Sequence, residues 1–472
     1  MWNIRYYIYK TTKIRIPKVG KILLLLTFLL SICLYVTLAY YLGKNRLRDL
    51  RFLEHEKCPA CFGRKLCNEF QNGAVKFTGL DGIPALKFTN VKNVFFGTFK
   101  GEKVVLKKLA HDNELDVADK KICELTKQTD CNVARAIYRY KFQDEDVLHP
   151  MYVKGLSSLT ACPSTRLMER IETKADERER YMLYSQKLIL YTTMLVNPEP
   201  IILQIFPGSE GWPFPRYIGA CGRFVVEEYA GEPLTKFYDA PWLKRVDLAY
   251  QVFKIAEQFT NNKEDYALYF TDIDWANYAV DDEGKVRVID AENIIVVDKK
   301  MIRTLKPPEW DKPLYSKFDK CKDYSLCLSF SEEKLCTHVT ADFNYYAVCR
   351  DLLSPMATDR YRPFGLLHHI PKFVEETWKL EELLTECARP SAPNGRISNK
   401  EKLMEALDNL QIPASAKCSF ALAVTAVGKF SRGIGPIKQK SASSTLIQSG
   451  HNKYCFNVRI QNVIPLQKCF CF

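Results

Sequence analysis

Asp272, Asn277 and Asp290 stand at intervals of five and thirteen residues in YFTDIDWANYAVDDEGKVRVIDAEN, residues 269–293. The stretch reads as a short loop, a strand, a turn at Gly284 and a second strand. Phosphoryl transfer asks for little covalent chemistry. It needs carboxylate and amide ligands for a divalent metal, a carboxylate aligning an acceptor hydroxyl, and a cation on the phosphates. The pattern D-x-x-x-x-N followed by a further Asp supplies the first two from one loop and the next hairpin. In that reading Asp272 orients or deprotonates the hydroxyl, Asn277 holds a metal, and Asp290 bridges metal and phosphates. An isolated D-x-x-x-x-N says nothing, and the bland alternative is a polar loop capping a hairpin. The hairpin ending in Asp and the helical pattern before it give the motif its weight.

The cation is expected from KVVLKK (103–108), where Lys107 would pair the phosphates and alternation sends Lys108 to the opposite face. RFVVEEYAGEPL (223–234) reads as the strand and crossing that hold adenine, making Glu227 and Tyr229 candidate cofactor-binding residues. The cofactor implied is ATP with Mg²⁺ or Mn²⁺. Glu199 is the carboxylate expected to pair with Lys107, because it lies the right distance before the crossing. Glu124 is its rival, being closer to Lys107 in sequence.

Elements must carry these residues. ALKFTNVKNVFFGTFKGEKVVLKKL (85–109) alternates like β-strands with a turn at Lys100–Gly101, and 165–195 has helical spacing throughout. NPEPIILQIF opens a helix with Pro198 in its first turn and Asn197 as cap. WLKRVDLAYQVFKIAEQFTNN (242–262) is an amphipathic helix running into the opening motif. A β-rich first half, a crossing near 224–232 and a helical second half give the expected class. It is α+β, a bilobal protein-kinase-like fold whose β-rich N-lobe carries a helical insertion and whose C-lobe is helical. The expected divisions are a basic tail (1–21), an apolar helix (22–43), a stem with a cysteine cluster (44–84), the N-lobe (85–228, insertion about 110–196), the C-lobe (229–411) and a basic tail (412–472).

The net charge of +13 sits at the ends. Residues 1–21 and 413–472 together hold fourteen cations and no acid, which leaves residues 22–412 at −1. A neutral body argues against nucleic acid as a partner. ILLLLTFLLSICLYVTLAYYLG (22–43) is long enough to cross a bilayer, and six cations precede it. Cations stay cytosolic, so the body should be lumenal, as a type II single-pass protein. A long cleavable signal peptide is the other reading. Twelve cysteines between residues 58 and 387 form an even set, which suits an oxidising compartment. CPACFGRKLC (58–67) resembles a zinc knuckle only superficially, since no second matching pair exists. Their pairing is not readable from sequence. There is no N-x-[ST] site.

EKCPACFG (56–63), NVKNVFF (90–96), NPEP (197–200), EGWPF (210–214), GACGR (219–223), APWLKRVDLA (240–249) and IDAEN (289–293) resemble the divergent protein kinase domain 2 proteins, the deleted-in-autism group. The resemblance covers about residues 50–412. It implies a kinase-like fold in the secretory pathway, at the Golgi membrane or secreted, with some members described as secreted growth-promoting factors. Departures accompany it. No G-x-G-x-x-G precedes Lys107, and the segment near 87–92 reads KFTNVK. Phe270–Thr271 replace the His-Arg before the catalytic Asp, and Asp290–Ala291–Glu292 puts an acid where a glycine follows the metal Asp. KPPEW (306–310) is a weak counterpart of the motif closing an activation segment, and His368–His369 reads as structural. Two functions follow. One is phosphoryl transfer to a lumenal or extracellular protein acceptor; the other is a pseudokinase that binds a receptor or trafficking partner.

Overall fold

The computed structural model describes residues 18–411, apart from 45, 80–92, 110–111, 126–130, 140–148, 150–152, 176–181, 318–328 and 358–361. Residues 1–17 of the first charged tail and all of the second therefore lie outside the described residues, as do the segment 87–92 and the cysteines Cys321 and Cys327. Helix α1 (Lys18–Lys44) contains the apolar run, and none of its hydrophobic stretch is buried against the rest of the chain.

Alternation then builds the N-lobe. β1 (Val75–Phe77), β2 (Val94–Phe99), β3 (Glu102–Lys108), β4 (Tyr217–Cys221) and β5 (Phe224–Glu228) form one antiparallel sheet in the order β1-β2-β3-β5-β4. Val104 and Leu106 point to one face, where Phe95, Phe224 and Val226 join them. Lys107 stands on the other face, opposite Val225, and Val105 faces Glu227 in the same register. Lys108 turns away as alternation requires and pairs with Glu54.

Within the stem, residues 46–79 pack on the N-lobe. Leu47, Leu53, Leu66, Phe70 and Val75 close the outer face of the sheet, and short helix α2 (Cys67–Gln71) is cross-linked to β4 through Cys67–Cys221. Those apolar residues follow neither a two-residue nor a 3.6-residue period, so sequence pattern could not assign them. The chain approaches closely at Gly222, whose φ of 61° suits glycine. A Cβ there would meet the Leu53 carbonyl oxygen at 1.9 Å.

The insertion holds α3 (Asp112–Leu125), α4 (Val133–Arg139), α5 (Thr165–Ala175) and α6 (Tyr184–Val196), followed by α7 (Glu199–Ile205). The helical run 165–195 is thus two helices on either side of residues 176–181. Leu115 of α3 packs on Val225 and Ala220, on the Lys107 face of the sheet. Leu167, Met168, Ile171, Met194, Ile201 and Leu203 instead join the large core of the C-lobe. The insertion therefore belongs energetically to both lobes, with each fully buried aliphatic side chain contributing roughly 1.5–3 kcal/mol.

In the C-lobe α8 (Trp242–Thr260) buries Val246, Ala249, Val252, Phe253, Ala256 and Phe259 at helical spacing. Lys299 donates to the Thr260 carbonyl at 2.6 Å, a cation at the negative end of the helix. Burial pulls that lysine down to about 8. Strand β6 (Glu232–Pro233) pairs with β8 (Tyr278–Val280), which pairs with β9 (Val286–Val288), while β7 (Tyr266–Phe270) pairs with β10 (Ile294–Asp298). Gly284, at φ 82°, makes the turn between β8 and β9. Helices α9 (Lys299–Leu305), α10 (Glu332–Leu335), α11 (Phe343–Val348), α12 (Lys372–Trp378), α13 (Leu380–Ala388) and α14 (Gly395–Gln411) complete the lobe. Arg396 and Asp342, both fully buried, pair at 2.7 Å and tie α14 to the start of α11.

Disulfides fasten the body: Cys58–Cys61, Cys67–Cys221, Cys123–Cys131, Cys162–Cys336 and Cys349–Cys387. The knuckle-like cluster is thus divided between two bridges. His368 is buried against Tyr238 and bonded through Nδ1 to Gly365, a packing role.

Candidate active site

Strand β3 delivers Lys107 to the cleft side of its sheet. Its ammonium meets Glu199 Oε1 and Oε2 at 2.9 and 3.0 Å, Glu227 Oε2 at 3.0 Å and the Ile289 carbonyl at 2.7 Å. Three N–H donors are thereby engaged. Burial pushes the lysine pKa down, but Glu199, Glu227 and Asp290 outweigh it and hold the ammonium above its ordinary value.

Glu199 comes from the first turn of α7. The N-cap is Pro198 rather than the expected Asn197, whose Oδ1 nevertheless accepts the Glu199 backbone N–H at 3.0 Å from one residue further out. The carboxylate also accepts the Ala291 N–H at 3.1 Å, immediately after Asp290. One side chain therefore joins β3 to the end of the β8–β9 hairpin. Glu124, the rival, is an exposed residue of α3. Sequence separation favoured it wrongly because the insertion lengthens the path from β3 to its partner helix.

Glu227 differs from expectation in its contacts. It lies in β5, before the crossing, and the register beside Val105 turns its carboxylate onto Lys107. Its Oε1 is buried and has no hydrogen-bond partner among the described residues. Two buried carboxylates now face one ammonium. Burial first, then mutual repulsion in the case of Glu199, pushes both carboxyls above their usual range against the pull of Lys107. Tyr229 sits at the crossing, its N–H on the Lys103 carbonyl at 3.3 Å and its hydroxyl donating to Glu232 at 3.1 Å. Its ring meets Phe96 edge-on.

The loop 271–277 is organised by its own polar groups. Asp274 accepts from the Ala276 N–H at 2.7 Å, opening the short turn Trp275–Asn277. Buried Asn277 donates through Nδ2 to the Asp272 carbonyl at 2.9 Å, and its own carbonyl accepts from Ile289 N–H at 2.9 Å. Asn277 thus connects Asp272 to the strand end that carries Asp290. One of its two amide N–H donors is thereby used, and the amide oxygen is the end suited to a cation. Asp290 and Asn277 offer hard oxygen donors of the kind Mg²⁺ takes alongside substrate phosphates. Among the described residues no three His, Cys, Asp or Glu side chains form a ready metal cage.

Residues that sequence reasoning passed over complete the site. Asn293 donates to Asp272 Oδ2 at 3.3 Å and lies 3.5 Å from Glu292 Oε1. Asn197 Nδ2 donates to Glu292 Oε2. Burial, then the charges of Asp290, Asp272 and Glu114, push the Glu292 carboxyl up to about 7. Ser164 and Arg166 bind the Asp298 carboxylate at 2.9 and 3.0 Å, and Cys162–Cys336 fixes that stretch to the C-lobe. Thr271, in the position of the missing arginine, donates to the Asn293 carbonyl at 2.8 Å. KPPEW forms part of a turn after α9, where Trp310 N–H reaches the Pro307 carbonyl. The signal for Asn197, Asn293 and Glu292 was adjacency to motif residues, and nothing in their spacing distinguished them.

A five-stranded lobe of this order, a lysine–glutamate pair across it, and a hairpin ending in Asp beneath it define a protein-kinase fold. Residues 191–390 match the family model described as the protein-kinase domain of FAM69. The chain is 45% identical to Divergent protein kinase domain 2A of Xenopus tropicalis over 386 residues, 78% of this chain and 90% of that protein. It is also 45% identical to its Homo sapiens counterpart, over 78% of this chain and 90% of that protein. To Divergent protein kinase domain 2B of Bos taurus it is 30% identical, over 77% and 82%. The chain belongs to the divergent protein kinase domain 2 family.

Proposed function

We propose that this chain is a secretory-pathway phosphotransferase that uses ATP with Mg²⁺ or Mn²⁺ and phosphorylates a hydroxyl of a lumenal or extracellular protein. One observation carries the reading: Glu199 binds Lys107 and the Ala291 N–H together, so the phosphate-pairing lysine is registered against Asp290. In the reaction the acceptor oxygen forms a bond to the γ-phosphorus as the bond to the β,γ-bridging oxygen breaks. The hydroxyl proton passes to Asp272 and ADP leaves. The metal, held by Asp290 and Asn277, would supply charge neutralisation between the phosphates and the acids. Lys107 would exchange one of its present acceptors for a phosphate oxygen. Disulfides and helix α1 are compatible with a lumenal body held at the Golgi membrane or released by cleavage.

A pseudokinase that acts by binding a receptor is favoured by one observation, the second carboxylate on Lys107. Glu227 occupies a donor that phosphate would need and adds negative charge to the cleft. Calorimetry on the disulfide-intact protein separates the two readings. Heat with ATP only when Mg²⁺ or Mn²⁺ is present, lost in Asp290→Asn, supports the enzyme. No heat with either metal sinks it.

A further inference from the structure

Every acceptor on the Lys107 ammonium occupies a place that a phosphate oxygen would need. Glu199 binds it through both carboxylate oxygens, Glu227 through Oε2 at 3.0 Å, and Ile289 through its carbonyl at 2.7 Å. With three N–H donors in use, a phosphate must displace one of these acceptors. They are not equally held. Glu199 also accepts the Ala291 N–H, and the Ile289 peptide is fixed by its own N–H on the Asn277 carbonyl. Glu227 holds only to the lysine, because its Oε1 meets no hydrogen-bond partner among the described residues. Glu227 is the acceptor that gives way.

Burial then decides its protonation. The Glu227 side chain is 1% exposed and the Lys107 side chain 12%, so the ammonium is the end that a phosphate can reach. Strand pairing on both sides, to Val105 of β3 and Tyr217 of β4, keeps the Glu227 backbone in place. The titratable groups that face it are Lys107 on β3, Tyr217 on β4, Glu199 on α7 and Asp290 beyond β9. Burial and Glu227 raise the Tyr217 phenol and keep it neutral, Glu199 and Asp290 are acids, and Lys107 is the one cation in the set. A buried carboxylate that loses its cation is costly as an anion, and a proton removes that cost.

We propose that Glu227 is a positioning residue that holds Lys107 in the empty cleft, yields its donor to a nucleotide phosphate, and takes up a proton from solvent as it does so. The inference rests on the nucleotide-binding reading above and adds that binding consumes a proton. One O–H bond forms, on the Glu227 carboxyl, and the phosphate stays ionised. Glu199 keeps both Lys107 and the Ala291 N–H, so the lysine remains registered against Asp290. Nucleotide affinity rises as pH falls, by at most about tenfold per pH unit for one proton.

Calorimetry of the disulfide-intact protein with ATP and excess Mg²⁺ or Mn²⁺, at pH 7.2 in PIPES and in Tris, counts the protons. The two buffers differ in ionisation enthalpy, so wild type should give different heats in them, equivalent to uptake of about half to one proton. Its affinity should weaken on the order of tenfold between pH 6.5 and 8. Glu227→Gln keeps the shape and does not ionise. It should give equal heats in both buffers, a flat pH profile and tighter binding than wild type at pH 8. Equal heats for wild type overturn the proposal, and that comparison decides even where the variant is unstable. Uptake that persists in Glu227→Gln also overturns it, since another group then takes the proton. Heat without proton uptake sinks this inference alone, whereas no heat from either protein with either metal sinks the nucleotide reading beneath it.

Discussion

Replacing Glu292 by Gln tests the electrostatics of the cleft most directly. The carboxyl is held at about 7 against an ordinary 4.5, first by burial and then by Asp290, Asp272 and Glu114. An acid raised in the folded state binds its proton there while the unfolded chain has released it. Its contribution to stability is therefore fully present below pH 4.5 and is lost as pH rises towards 7. The rise from 4.5 to about 7 corresponds to an upper bound of about 3.5 kcal/mol, at about 1.4 kcal/mol per pH unit. Gln keeps the shape and does not ionise, and its single amide oxygen can accept from one of Asn197 and Asn293. Urea unfolding between pH 5 and 8, with disulfides intact, should show wild-type stability falling with pH by about 2–3 kcal/mol. The Glu292→Gln profile should be flatter, and the variant more stable than wild type at pH 8. Parallel profiles for the two proteins would refute the assignment, because the burden would then lie on another group.

Asp272→Asn should leave metal-dependent ATP binding intact in calorimetry and abolish phosphate transfer to acceptor, whereas Asp290→Asn should lose both. Glu199→Ala removes the carboxylate that holds Lys107 and the Ala291 N–H, and should cost about 2–4 kcal/mol in denaturant unfolding; exposed Glu124→Ala should change stability by less than about 0.5 kcal/mol. Cys162→Ser/Cys336→Ser opens a bridge across 174 residues. It should cost about 2–4 kcal/mol and accelerate proteolysis within the insertion, read by limited digestion and mass mapping. Arg396→Ala strands Asp342 in the core and should lower stability by about 3–5 kcal/mol, measured by thermal or urea unfolding.

Wherever one period or one short motif decides, the amino-acid sequence was sufficient. Alternation along KVVLKK sends Lys107 and Lys108 to opposite faces, and they bind Glu199 and Glu54 on opposite sides of the sheet. The spacing of apolar residues across 242–262 defines α8, and Gly284 marks the hairpin turn. Uncharged length alone defines α1. These features are local, so the chain carries them in short windows. Tertiary structure decided what depends on distant partners. Leu47, Leu53, Leu66 and Phe70 lack a period, and only the sheet they cover shows that residues 46–77 are part of the N-lobe. Cysteine pairing was open because many connectivities satisfy the same count. Glu227 belongs to the crossing by position, yet its register against Val105 delivers it to Lys107. Glu199 prevailed over Glu124 because α6 and α7 return to the cleft after the insertion, while α3 leaves Glu124 in solvent. A carboxylate's partner and its protonation are set by the charges and burial that folding gathers around it, and those come from residues on either side of a ninety-residue insertion.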